Sequence, residues 1–214
     1  IFFNPKLDYS EEYFIIINST IGYGYLAAHT TKVDLKFFNY SFLGLLGVFV
    51  LVIVSYTSHL FFKHNYIHNS IILIIGILSF VYFFLREKKK INLIKLNIFF
   101  LLLFISFIIF KSHDDFSYYH FPYTYYLTQS EIAFGVGNFN HGFRTPSSIF
   151  YLNSIFYLPI IKYNFFQIGA ILIMGFSSYQ FFYLVKEKLK KKNMINFSFY
   201  LYFFLCSLLS FFIE

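Results

Sequence analysis

The run FLGLLGVFVLVIVSYTSHLFF, residues 42–62, contains no Asp, Glu, Lys or Arg. A bilayer core of about 30 Å is crossed by about 20 consecutive apolar residues in a helix. Lipid offers no partner for a free backbone N–H or C=O, so a run of this kind has to be helical. Working outward, four further segments read the same way: 69–85, 93–110, 165–185 and 197–213. The third reaches spanning length if Lys95 snorkels to the interface. Residues 13–28 form a sixth, weaker candidate, interrupted by Asn18, Ser19, Gly22 and Gly24. The expected fold is therefore all-α: a polytopic transmembrane helix bundle forming one membrane domain over residues 1–214.

Composition agrees. The 214 residues are 58% hydrophobic and 13% charged, against about 25% charged in soluble domains. The aromatic fraction is 26%, with 35 Phe and 20 Tyr but no Trp. Abundant Phe, Ile, Lys, Asn and Tyr point to AT-rich codons, so part of the aromatic excess reflects mutational bias. The chain begins at Ile1 without a Met and stops at Glu214 directly after an apolar run, which reads as a fragment of a longer protein. The single cysteine, Cys206, sits in an apolar run and cannot form an internal disulfide. It reads as a small packing residue.

Lys and Arg set the orientation. Arg86, Lys88, Lys89, Lys90 and Lys95 form one cluster, and Lys186, Lys188, Lys190, Lys191 and Lys192 form another. Together they hold ten of the 17 basic residues. Each cluster lies between two apolar helices, which favours the positive-inside rule over nucleic-acid binding and makes both loops cytoplasmic. The expected partner is the lipid bilayer, with no nucleic acid. Counting helices from these loops puts residues 111–164 and 63–68 outside and 32–36 inside.

The external loop differs from the rest of the chain. Residues 111–159 read KSHDDFSYYHFPYTYYLTQSEIAFGVGNFNHGFRTPSSIFYLNSIFYLP. They carry His113, His120 and His141, the acids Asp114, Asp115 and Glu131, and Arg144. Adjacent carboxylates repel, unless one is protonated, a cation neutralises them, or they point to different partners. Plainer readings stand beside this. Ser112 and Asp115 resemble a capping box for a helix over about 116–130. Tyr118, Tyr119, Tyr123, Tyr125 and Tyr126 could be an interfacial aromatic belt. His113 and His120 follow no metal-ligand spacing. Gly135, Gly137 and Gly142 read as turn residues. Arg144, just before a helix starting near Ser148, suits an anion site or a snorkelling interfacial position. Residues 148–161 are read as a second amphipathic helix closed by Pro159, lying along the membrane like the first.

The order Asp114-Asp115, then Tyr118-Tyr119-His120-Phe121-Pro122, then a Gly/Asn-rich turn and Arg144 before Ser147-Ser148 resembles the first large external loop of GT-C-type glycosyltransferases. More closely, it resembles uncharacterised bacterial multi-spanning membrane proteins with such a loop. The resemblance covers about residues 93–185 and rests on a short motif. In that family the acidic pair follows the first spanning helix, whereas here at least two helices precede residues 93–110. The resemblance implies an enzyme of the bacterial inner (plasma) membrane that takes a sugar from a polyprenyl-phosphate donor at the extracytoplasmic face. It implies that Asp114 or Asp115 is the catalytic acid residue, acting as general base or helping to hold a divalent cation (Mg or Mn). His113, Tyr118, Tyr119, His120, His141 and Arg144 are the accompanying candidates for substrate binding. Two other classes stay open. A transporter, flippase or polymerase subunit for a lipid-linked glycan would carry ionisable residues at mid-membrane depth. A non-catalytic membrane assembly protein would use the loop for docking and tolerate neutral replacements at Asp114 and Asp115.

Overall fold

The computed structural model describes residues 9–33, 38–86, 90–108, 115–132, 135–144 and 147–209. Eight α-helices follow in order: α1 Ser10–Thr30, α2 Tyr40–His59, α3 Tyr66–Arg86, α4 Lys90–Ile108, α5 Phe121–Gln129, α6 Ser148–Ser154, α7 Ile168–Lys190 and α8 Met194–Leu209. No named β-strand occurs among the described residues; an isolated bridge pairs Leu158 with Lys162. Three helical stretches are long and apolar enough to cross a membrane: Tyr40–His59, Tyr66–Arg86 and Tyr163–Lys190. These correspond to the expected segments 42–62, 69–85 and 165–185. The segments expected at 93–110 and 197–213 yield shorter apolar helices, Asn92–Ile105 and Met194–Leu209. Residues 109–110 and 210–213 of these two segments lie outside the described residues.

Consecutive long helices run antiparallel. Thr20 and Gly24 of α1 face Gly47 and Leu43 of α2, while Phe100 of α4 meets Phe176 of α7. Phe181 and Phe182 of α7 stack on Phe203 and Phe204 of α8. One end of the stack therefore holds the α2–α3 turn and the start of α7, and the opposite end holds Arg86, Asn92 and Lys190.

The weakest of the sequence candidates is the most enclosed helix. α1 packs against both α2 and α3. Tyr13, Ile16, Ile17, Ser19, Thr20, Ile21, Gly22, Tyr23, Gly24, Tyr25 and Ala28 are all buried. Its polar side chains reach carbonyls on the neighbouring helices. The Tyr13 hydroxyl donates to Phe100 O (3.1 Å), Ser19 Oγ to Leu73 O (3.1 Å) and the Tyr23 hydroxyl to Ile72 O (2.8 Å). Such bonds matter where lipid removes the hydrophobic drive between helices, and small residues at the contact let backbones approach. α3, by contrast, leaves Ile67, Ile71, Ile74, Leu78 and Leu85 more than half exposed. That apolar surface is what lipid would cover.

α2 is anchored at its start by Asn39, whose Oδ1 accepts from Phe42 N at 2.8 Å, a standard N-cap bond. Ser41 Oγ lies 2.8 Å from both Asn39 Oδ1 and Gln180 Oε1, joining the base of α2 to α7.

The described residues between 115 and 165 fold over the end that holds the α2–α3 turn. A π-helical turn, Phe116–His120, leads straight into α5, so the expected helix at about 116–130 is present with a widened first turn. It is amphipathic, with Phe116, Tyr123, Thr124, Leu127 and Thr128 buried and Tyr118 and Tyr125 exposed. The second amphipathic helix expected at 148–161 takes a different form. α6 stops after seven residues, and every residue from 150 to 158 is buried. It contacts α2, α5 and α7. The tyrosines and asparagine that suggest a polar face instead find partners inside the protein. Asn153 Oδ1, for example, accepts from Gly169 N at 2.8 Å and caps the start of α7.

Candidate functional site

The polar side chains of the fold converge at this capped end. α2 terminates at His59 and α3 begins at Tyr66, and the six residues between them make a tight turn. The end of α5 and the whole of α6 close over that turn. His64 is the hub. Its backbone N–H donates to Leu127 O at the end of α5 (3.0 Å), its Nδ1 lies 2.6 Å from Ser154 Oγ of α6, and its Nε2 lies 3.2 Å from Ser58 Oγ of α2. Ser154 Oγ itself donates to Tyr151 O at 2.8 Å. Its single proton is thereby engaged, so it must accept from His64, which assigns the proton of His64 to Nδ1. Ser58 Oγ lies 3.2 Å from Nε2 and 3.4 Å from Ser55 O, so its one proton is shared between these two acceptors.

Asn69 repeats the pattern. Its Nδ2 donates to His64 O (2.8 Å), Ser154 O (2.9 Å) and Tyr157 O (3.0 Å), and its Oδ1 lies 3.0 Å from His68 Nδ1. His59 Nε2 donates to Ser130 O at 3.2 Å, tying the last turn of α2 to the residue after α5. The three rings are neighbours. The His59 and His64 centroids are 5.0 Å apart edge to face, and those of His64 and His68 are 5.0 Å apart and stacked. Tyr56 of α2 stacks on Tyr151 of α6 at 4.1 Å, and Tyr66 donates to Tyr157 at 2.8 Å. Burial pushes the Tyr157 hydroxyl up to about 12.

A serine hydroxyl on an imidazole held by a third group has the layout of an activated nucleophile. Electrostatics argue against that role. Burial, followed by the nearby His59 and His68, lowers His64 to about 3, far from the near-neutral value an efficient general base needs. The arrangement is a clasp that fixes the cap on the helices. It also makes the clasp sensitive to acid. The unfolded side chain takes up its proton near pH 6.5. The folded one resists protonation down to about pH 3. Between these values the unfolded state binds more protons, so stability is full above about pH 6.5 and falls as the pH drops. Hydrogen exchange in detergent should show amides 150–158 losing protection between pH 7 and 4, and His64→Gln should flatten that dependence. An unchanged slope in the variant would assign the effect to another group.

The sequence candidates divide into two sets. His113 and Asp114 lie outside the described residues. Asp115 stands at the start of the π turn and is half-buried. Tyr119 and His120 pack together, ring centroids 4.4 Å apart, and both rings meet Phe150 of α6. Tyr119 also lies against Gly142, which draws the turn carrying His141 and Arg144 toward the π turn. Tyr118 is exposed and His141 points to the surface. Arg144 Nε donates to Gly137 O at 3.2 Å, folding its side chain along the Gly135–Arg144 turn. Ser147 Oγ accepts from Ile149 N at the start of α6. The structure thus gathers Asp115, Tyr119, His120 and the Gly142 turn on one side of the cap. Beneath them it adds His59, His64, His68 and Asn69, which sequence reasoning did not single out as a site.

The divalent cation implied by the family resemblance would draw on Asp114 and Asp115, of which Asp114 lies outside the described residues. Among the described residues no three His, Cys, Asp or Glu side chains gather to hold a metal ion. His59, His64 and His68 each direct a nitrogen to Ser130, to Ser58 and Ser154, and to Asn69 respectively.

Fold and site define a class: an all-helical chain with three helices long and apolar enough to cross a membrane, closed at one end by a packed cap rich in Tyr and His. Comparison with protein-family models, curated proteins and solved structures finds no match for the chain.

Proposed function

We propose that this chain is the membrane part of a glycosyltransferase-like enzyme that acts at the extracytoplasmic face on a lipid-phosphate-linked sugar. The observation that carries the reading is the gathering of Asp115, Tyr119, His120 and the turn bearing Arg144 at one end of the helices, opposite the end rich in Lys. With the basic end in the cytoplasm, the cap lies at headgroup depth on the outer face, where the phosphate of a polyprenyl-phosphate sugar would sit. In the transfer, an acceptor hydroxyl attacks the anomeric carbon, a new C–O bond forms, and the bond from that carbon to the phosphate oxygen breaks. Asp115 or Asp114 takes the hydroxyl proton, and the guanidinium of Arg144 meets the charge on the departing phosphate. The rings of Tyr119 and His120, packed edge to face, form an aromatic wall suited to a sugar face.

Two measurements test this. In a Cys206→Ser background, His113→Cys should react with an impermeant maleimide from outside the cell and Lys190→Cys only from the cytosol; the reverse pattern ends the proposal. Asp115→Asn and Asp114→Asn in the intact protein should then be assayed for turnover of lipid-linked sugar. Loss of the general base should lower the rate about 10²–10⁴-fold for one of the two. Wild-type turnover in both variants would remove the enzyme reading and favour a docking role for the cap.

A further inference from the structure

The opposite end of the helices carries a cleft that the transferase reading does not use. It lies between the start of α4 and the last turns of α7 and encloses about 270 Å³. Asn92 and Lys95 line it from α4, and Tyr179, Tyr183, Lys186 and Lys190 line it from α7. The side chains of three lysines therefore line one small concavity. The single carboxylate on its wall, Glu187, is already engaged by Lys191 at 2.6 Å. Among the described residues Lys95, Lys186 and Lys190 have no ion-pair partner. Lysines this close repel one another, and an anion between them relieves that repulsion.

The surroundings specify which anion. The cleft sits where an apolar helix long enough to span a membrane reaches its charged end. Tyr179 and Tyr183 supply the amphipathic rings that favour the headgroup layer, and the lysine stems run along apolar surface with their charges at the water. Its volume falls just below the range of about 300–1,000 Å³ typical of sites for drug-sized ligands, which suits a phosphate headgroup whose acyl chains remain in the bilayer. Basic pockets between membrane helices on the cytoplasmic side take anionic headgroups for these reasons.

We propose that this cleft is a binding site for a phosphate headgroup, with an anionic phospholipid of the same leaflet as the source. The lysines hold the phosphate oxyanion, and the Tyr183 hydroxyl and Asn92 amide stand beside them as neutral donors. The inference rests on the membrane reading above but on no part of the transferase chemistry.

The test uses the full chain reconstituted in nanodiscs of phosphatidylcholine, alone or mixed with phosphatidylglycerol, with retained lipid read by native mass spectrometry. Wild type should retain phosphatidylglycerol in preference to phosphatidylcholine. Lys95→Gln, Lys186→Gln and Lys190→Gln combined should lower that preference at least about tenfold, since each lysine near an anionic headgroup contributes about fivefold. The corresponding triple Arg variant should restore it. Lys63→Gln, at the capped end, should leave it unchanged. Equal retention by wild type and the triple Gln variant, or an equal loss with Lys63→Gln, overturns the site in favour of diffuse attraction. Displacement of the lipid by millimolar inorganic phosphate overturns the lipid source and assigns the cleft to a soluble phosphate. A chain that fails to enter nanodiscs overturns the membrane reading itself, whereas one that enters without lipid preference removes this inference alone.

Discussion

Alanine at Gly24 or Gly47 destabilises the protein by about 3 kcal/mol, the upper part of the range for overpacking a filled interior, although alanine is the better helix former. The two effects oppose each other and their sizes decide the outcome. In an open helix, Gly→Ala stabilises by about 0.5–1 kcal/mol. At Gly24 the new methyl would press on the backbone carbonyl of Leu43, and at Gly47 on that of Thr20. Neither obstacle is a side chain that can swing aside. Each belongs to a helix held elsewhere, α2 by the Asn39 cap and the Ser41–Gln180 contact, and α1 by Tyr13, Ser19 and Tyr23. To admit a methyl group, α1 and α2 must separate along much of their contact. Gly22, which faces the Gly76 carbonyl of α3 in the same way, should behave alike. Gly137 is the control, because there the nearest atom is the Cγ of the flexible Arg144 side chain. Unfolding in a mixed detergent titration should show large losses at positions 22, 24 and 47 and a loss under about 1 kcal/mol at 137. Equal effects at all four would mean that α1 and α2 do not approach this closely.

The same contacts show what could be read from the chain beforehand. Residues 42–62 and 69–85 announce themselves because their outward faces meet an apolar surrounding, so nearly every position is apolar. α1 is muted for the opposite reason. Glu11, Glu12, Asn18, Ser19 and Thr20 dilute its hydropathy and Gly22 and Gly24 interrupt it, yet these small and polar residues suit a helix enclosed by others. A signal was present in the matching glycines at 47 and 76, which gain meaning only when two helices are considered together. In the cap, the helix over about 116–130 follows from the capping-box pattern of Ser112 and Asp115 before it. α6 misleads because Tyr151, Asn153 and Tyr157 look like an aqueous face, whereas they bind or stack on Gly169, Tyr56 and Tyr66. Acids and aromatics bearing on function were legible as a region. The His64 clasp was not, since it joins residues 90 apart in the chain and no local pattern marks it.

Asn69→Leu should release the cap from the helices and cost roughly 3 kcal/mol or more, from about 1–3 kcal/mol for each buried polar group left unpaired. Leu has the same number of side-chain heavy atoms but is bulkier than the planar amide, so overpacking of this buried site adds to the lost hydrogen bonds. In wild type one buried amide meets the carbonyls of His64, Ser154 and Tyr157, which come from the α2–α3 turn, from α6 and from the segment after it. Removing it strands these carbonyls together and deprives His68 of its partner Oδ1. Asn69→Asp makes a sharper comparison, because it keeps the size and the acceptor but turns the donor into a second acceptor facing three carbonyl oxygens. It should be at least as damaging as Leu near neutral pH and recover in part on acidification, as the carboxyl regains a proton to donate. The readout is protease cleavage within residues 130–147 in detergent, with helix content followed by circular dichroism. Cleavage should rise in both variants while most helix content persists, since α1, α2, α3 and α7 are held by other contacts. Loss of all helix content together would show instead that cap and helices fold as one unit, and unchanged cleavage would show that the clasp of His64 on Ser58 and Ser154 holds the cap without Asn69.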